Sequence, residues 1–204
     1  MDLDTRALLL RQLYLSQMES RAFTEALDTA LQAVATGVMP DVARQDAARA
    51  CLGLGDQRRA VDHLRIASRV CPASRRAFHL WTLGSSLYLA EDYVSAVGAL
   101  TRAARWGTRD KPLYQAQLGL ARWRAGQLAT SELAALFDAL ELAPCGRGYG
   151  QFVLGELGHA LGQTSVARRY LTAFVERAGG GRVALQVALE AELRRAKHIL
   201  SELA

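Results

Sequence analysis

The sequence of 204 residues contains no asparagine, two lysines and four prolines. So little proline excludes a collagen-like or proline-rich chain. Cysteine is nearly as scarce: Cys51, Cys71 and Cys145 are odd in number and widely spaced. They form no C-x-x-C pair, and no histidine stands at zinc-finger spacing from them. That argues against a disulfide framework or a zinc site and for three buried or half-buried thiols. No apolar run approaches the roughly 18 residues that a membrane-spanning helix needs. The opening Met1-Asp2-Leu3-Asp4 is acidic, and the apolar stretch 7–15 is broken by Arg11, so a signal peptide is not expected. The expectation is a soluble, cytoplasmic protein that does not insert into a membrane.

What is present is helix-forming. Half of the residues are hydrophobic and 22% are charged, which suits a folded core and excludes wholesale disorder. The length suits one domain or one repeat array. Pro40, Pro72, Pro112 and Pro144 stand 32, 40 and 32 residues apart, between stretches rich in Ala, Leu and Arg. Those residues favour helix and proline interrupts it, so the spacing calls for a repeat. Ala26, Ala60, Ala96 and Ala167 supply one, with separations of 34, 36 and 71, the last being two units. Upstream of them Gly55, Gly126 and Gly162 occupy a turn slot, with Arg21 and Glu91 in the matching slot of the other units. Each unit therefore reads helix–turn–helix. The predicted helices span about 5–18, 22–36, 41–54, 57–71, 75–90, 93–106, 111–125, 129–142, 147–161 and 164–178.

The arrangement resembles the tetratricopeptide repeat family, whose unit of about 34 residues is a pair of antiparallel helices. The second unit carries Ala47-Ala48, Cys51, Gly55, Ala60, Leu64, Ala67 and Pro72. The third carries Leu80, Leu83-Gly84, Leu87, Asp92-Tyr93, Ala96, Leu100 and Ala103. The fourth has Leu118-Gly119, Gly126 and the ending Ala139-Leu140-Glu141-Leu142-Ala143-Pro144, with about one extra residue after its turn. The fifth has Leu154-Gly155, Gly162, Ala167 and Leu171, and the first, the weakest, has Leu10, Leu13, Phe23, Ala26, Ala30 and Ala33. The resemblance implies an all-α, right-handed superhelical solenoid. Residues 1–181 would form five helix pairs, at about 5–40, 41–74, 75–110, 111–146 and 147–181. Small residues such as Gly84, Ala96, Gly119 and Gly155 should sit where helices approach closely. After Gly179-Gly180-Gly181, residues 182–204 are expected to hold one capping helix. Its apolar stripe would be Leu185, Leu189, Leu193, Ala196, Leu200 and Leu203. Glu190, Glu192, Arg194, Arg195, Lys197 and Glu202 would lie on its solvated side. Whether that helix caps the array, fills its groove or docks on a partner is open.

Enzymatic chemistry finds no support. His63, His79, His159 and His198 fall in different units, no H-E-x-x-H occurs, and no P-loop lysine follows a glycine-rich run. Gly146-Arg147-Gly148-Tyr149-Gly150 follows a helix rather than a strand and reads as a loop between repeats. No catalytic residue, metal or cofactor is expected.

In this family the first helix of each pair lines a concave groove. In the third unit Leu80, Leu83, Gly84 and Leu87 form the packing stripe, which leaves Phe78, Trp81, Ser85 and Tyr88 on another face. The same register gives Leu8, Arg11, Leu15 and Met18, then Val42, Gln45, Arg49 and Leu52. It continues with Leu113, Ala116, Leu120 and Trp123, then Tyr149, Phe152, Glu156 and His159. The candidate partner-binding residues are Phe78, Trp81, Ser85, Tyr88, Leu120, Trp123, Tyr149 and Phe152. Arg11, Arg49 and Arg124 nearby would receive acidic groups. Six of the chain's 14 aromatics would line this groove, and exposing them to water is costly unless a partner covers them. A shifted register, or a terminal segment filling the groove, is the alternative.

The implied function is a non-enzymatic adaptor or scaffold that binds a peptide or helix of another protein. A clamp for chaperone carboxylates, built in this family from lysines and asparagines, is excluded: asparagine is absent, and Lys111 and Lys197 lie outside the required slots. The stretch Asp110-Lys111-Pro112-Leu113-Tyr114-Gln115-Ala116 is similar to a repeat of type III secretion translocator chaperones, which is the alternative role. Residues 41–130 hold 14 Lys+Arg against seven Asp+Glu, with Arg58, Arg59, Arg65, Arg69, Arg75 and Arg76 crowded together. A solvated outer face explains that better than an acidic partner, and nucleic acid rests on charge alone. The oligomeric state is open, a homodimer included.

Overall fold

Proline, glycine and a few acidic or basic turn residues interrupt the Ala-, Leu- and Arg-rich stretches, and every stretch between them is helical. The structure is a computed structural model that describes residues 2–143 and 148–203. Among those residues there are twelve helices and no strand. They are α1 (Leu3–Glu19), α2 (Phe23–Ala35), α3 (Pro40–Gly53), α4 (Gln57–Val70), α5 (Ala73–Leu89) and α6 (Tyr93–Trp106). There follow α7 (Lys111–Arg124), α8 (Thr130–Glu141), α9 (Tyr149–Ala160), α10 (Thr164–Gly179), α11 (Val183–Ala188) and α12 (Glu190–Glu202). Among the described residues no helix is long and apolar enough to cross a membrane.

The turns repeat one device. Gly55, Gly126 and Gly162 are left-handed, with φ of 75°, 71° and 71°, and Arg21 and Glu91 take the same conformation at 60° and 62°. In all five, the following N–H reaches back to a carbonyl five residues earlier: Ala22 to Gln17, Asp56 to Cys51, Asp92 to Leu87, Gln127 to Arg122 and Gln163 to Gly158. This satisfies carbonyls that the helix end would leave unpaired. Asp56 and Asp92 then cap the next helix, accepting from Arg59 N–H at 2.9 Å and Ser95 N–H at 3.1 Å. Pro40 and Pro112 stand in the first turn of α3 and α7, where no N–H is needed. Pro144, expected to close the fourth pair, lies outside the described residues with Cys145, Gly146 and Arg147. Of the glycine-rich loop expected over 146–150, Gly148 is a turn residue with φ 83°, whereas Tyr149 and Gly150 already belong to α9.

The helices up to α10 match the expected spans to about two residues. The expected single helix over 182–202 is instead two. Leu189 leaves helical geometry, with φ −113° and ψ 13°, and separates α11 from α12. The two pieces pack in different compact units.

Unit 1 comprises Met1–Leu83 and Arg182–Ala188. In it α1 packs on α2, α2 on α3 and α3 on α4, while α11 rests on α1 and α3. Its core includes Tyr14, Met18, Ala26, Ala47, Cys51 and Leu64. Both Cys51 and Cys71 are buried, free thiols. Unit 2 comprises Gly84–Gly181 and Leu189–Ala204. Here α6 packs on α7, α7 on α8 and α9, α9 on α10, and α12 on α9 and α10. Leu100, Leu120, Leu133, Phe152, Leu171 and Phe174 fill the core. Three glycines let its helices touch. A Cβ on Gly84 would stand 2.5 Å from Cγ of Leu100, and one on Gly119 or Gly155 would fall inside Leu136 or Leu171.

Candidate functional site

In unit 1, α5 turns Leu80 and Leu83 into the core and leaves Phe78 40% exposed, with Trp81 half-buried beside it. Their ring centroids are 6.0 Å apart. The intervening His79 anchors the helix. Its Nε2 lies 2.9 Å from Oδ2 of Asp41 on α3, and Arg75 grips the same buried carboxylate through Nε at 2.7 Å and Nη2 at 2.9 Å. Burial would raise the Asp41 carboxyl, but hydrogen bonds and charge from Arg75 and His79 outweigh it and hold the group below its ordinary value. Burial pushes His79 down, against the pull of the Asp41 carboxylate that its Nε2 faces. Phe78 and Trp81 are thus presented by a helix that is pinned at its start.

Arg11 of α1 and Arg49 of α3 converge on Asp46, at 3.6 and 3.1 Å. The Asp46 side chain is buried, and that burial raises its carboxyl despite both guanidiniums. The arginine side chains themselves are 46% and 36% exposed. A guanidinium has five N–H donors, so each keeps donors for an outside acceptor. Tyr14, Ala7, Val38, Val42, Asp46 and neighbours also line a half-open cavity of about 20 Å³, room for about one water. The Tyr14 hydroxyl is buried with no hydrogen-bond partner.

Unit 2 treats its candidates differently. Leu120 and Phe152, expected in an open groove, are 1% exposed and belong to the core. Ser85 and Tyr88 are buried as well, and Tyr149 is half-buried. The three polar ones join two chains of hydrogen bonds. Ser85 donates to Gln117 Oε1 at 3.0 Å, Gln117 Nε2 to the Tyr149 hydroxyl at 3.4 Å, and Tyr149 to Glu192 Oε1 at 3.0 Å. Tyr88 donates to Glu156 Oε2 at 2.5 Å, and Arg195 Nε to Glu156 Oε1 at 2.6 Å. Burial, then the neighbouring carboxylate, pushes both tyrosines far above their ordinary range. Burial lifts Glu192 to about 7. α12 therefore reaches these residues with Glu192 and Arg195.

Trp123 and Arg124 sit at the end of α7. The indole N–H donates to Thr130 Oγ1 at 3.2 Å, and the guanidinium lies 4.9 Å over the indole ring. They form a local pair at the α7–α8 turn rather than joining either hydrogen-bond chain.

Sequence reasoning missed Gln117, Glu192 and Arg195. Gln117 stands one position past Ala116, the residue that the register had chosen, and 32 residues from both Ser85 and Tyr149. Glu192 and Arg195 were placed on the solvated side of the last helix. Yet Glu192, Ala196 and Ile199 are buried, and Leu185, put in the apolar stripe, is exposed. The usable signal was the i, i+3, i+4, i+7 spacing of Glu192, Arg195, Ala196 and Ile199, hidden because two of the four are charged.

The arginine-rich segment is partly neutralised in place. Arg65 pairs with Asp62 at 3.1 Å, Arg59 with Asp56 at 3.8 Å and Arg75 with Asp41 at 2.7 Å. Among the described residues no group of three or more His, Cys, Asp or Glu could hold a metal ion. Compared with known proteins, the sequence matches no family model and no curated protein.

Proposed function

We propose that this chain is a non-enzymatic adaptor that binds a peptide or helix of a partner protein. In this reading the helix pairs stack as a right-handed solenoid of the tetratricopeptide type, in the cytoplasm. Five turns that share a left-handed residue, and the close glycine contacts inside the α5–α6, α7–α8 and α9–α10 pairs, support the paired-helix unit of that reading. The observation that carries the binding role is the Phe78–Trp81 pair, left outside the packing stripe of a pinned helix. An aromatic pair so placed takes an apolar anchor from a partner. Arg11 and Arg49, oriented by buried Asp46, take an acidic group of the same partner.

The test is affinity capture from the native host with the wild-type chain, a Phe78→Ala/Trp81→Ala variant and a Val94→Ala control. Val94 is an exposed residue on α6. A partner that is retained by wild type and Val94→Ala and lost by the double variant, at unchanged circular dichroism, supports the reading. Equal retention by all three refutes it. Retention that collapses steeply with salt points to nucleic acid instead.

A further inference from the structure

The face made by Ser85, Tyr88, Gln117, Tyr149 and Glu156 is occupied, and its occupant is a helix of the same chain. α12 meets it with Glu192 and Arg195, while Ala196 and Ile199 are buried on the same side. Those four residues are spaced i, i+3, i+4 and i+7, the pattern by which an amphipathic helix seats in a groove. The opposite side of α12, with Glu190, Arg194, Lys197 and His198, is exposed.

The contact is polar where a permanent core would be apolar. Arg195 and Glu156 form an ion pair whose carboxylate is 1% exposed, and Glu192 is buried against a phenol. Apolar residues of similar volume would commonly hold such a helix at least as well. An ion pair instead selects its partner, because a helix with the wrong charge leaves Glu156 buried and unpaired. A second hydrogen bond, from Tyr149 to Glu192, fixes the register of the helix along α9.

We infer that this face is a recognition surface for an amphipathic helix with an acidic residue three positions before an arginine, held in cis by α12 and open to displacement by a partner helix of that chemistry. Tyr149 receives the partner's carboxylate, Glu156, itself held by Tyr88, receives its arginine, and the small and branched residues one turn on fill the contact. The surface belongs to unit 2, and the Phe78–Trp81 pair to unit 1.

The probe is a fluorescein-labelled peptide with the sequence of residues 189–203, titrated against the full chain. Wild type keeps α12 in place and should bind weakly. Arg195→Ala loosens α12 and should bind at least about tenfold more tightly. A peptide with Glu at the Arg195 position should not bind that variant. Arg195→Lys repeats the comparison should Arg195→Ala lose its helical circular dichroism. The inference is overturned if neither variant captures the peptide more tightly than wild type. It is overturned equally if the charge-reversed peptide binds as well, or if the variants exchange α12 between two copies and double in mass without taking up peptide. Because the adaptor reading is tested at Phe78 and Trp81, either proposal can fail without the other.

Discussion

Tyr88 and Glu156 are 68 positions apart in the sequence and 2.5 Å apart in the structure, phenol to carboxylate. The carboxylate accepts from Tyr88 on one oxygen and from Arg195 on the other, so both are satisfied. Tyr88→Phe keeps the ring and removes one donor. A buried acceptor then loses its partner, at a cost of about 1–3 kcal/mol. Urea denaturation should show that loss with no change in slope. An unchanged midpoint would mean that Arg195 alone satisfies Glu156.

Glu192 makes the seating of α12 depend on pH. Burial lifts its carboxyl from 4.5 to about 7, and the groups bonded or next to it are the hydroxyl of Tyr149, itself bonded by Gln117, and the chain-mate Arg195. The folded state holds this proton more tightly than the unfolded state. Its stabilising effect is complete below pH 4.5 and is lost as pH rises through 7. The loss amounts to roughly 3 kcal/mol. Glu192→Gln keeps an acceptor for Tyr149 and cannot ionise. Urea midpoints at pH 5 and pH 8 should therefore separate wild type from Glu192→Gln at pH 8 and bring them together at pH 5. His79, pushed down by burial, contributes in the opposite sense but is common to both proteins and cancels.

The helices and their turns were legible because each rests on local chemistry. Gly55, Gly126 and Gly162 announce a left-handed turn, and Gly84 and Gly155 mark close contact by lacking a side chain. Which side of a helix faces which neighbour is a long-range property, and there local patterning gave out. Phe152 and Leu120 share one register with Phe78 and Trp81, yet the first two are core and Phe78 is exposed. Charge misled most: Glu192 and Arg195 read as solvated because nothing near them in sequence reveals Tyr149 and Glu156 waiting across the fold.

Arg21 and Glu91 test the turn device itself. Both hold the left-handed conformation that the other three turns assign to glycine. A side chain there costs roughly 1–2 kcal/mol. Glycine removes that cost and returns part of it as unfolded-state entropy. Arg21→Gly and Glu91→Gly should each stabilise by about 0.5–1 kcal/mol and raise the melting temperature. Gly55→Ala should do the reverse by a similar amount. Open space surrounds the Gly55 site, so only the backbone can account for its loss.

Tyr14 offers the opposite case, a polar atom whose removal should help. Its ring is core in α1, while its hydroxyl is buried without a partner beside a cavity shared with Asp46. Burial first, and then the charge of Asp46, raises the hydroxyl far above its ordinary range, so it stays protonated. An unpaired buried hydroxyl costs about 1–3 kcal/mol, and Tyr14→Phe removes it without changing the ring. Thermal melts should show Tyr14→Phe more stable than wild type by about 1 kcal/mol. The sign is decisive, because a water bridging Tyr14 to Asp46 would make the hydroxyl useful and the variant less stable. Asp46→Ala separates the two cases: it removes the acceptor that a bridge requires, so only if there is a bridge does Tyr14→Phe cost less in the Ala background than in wild type.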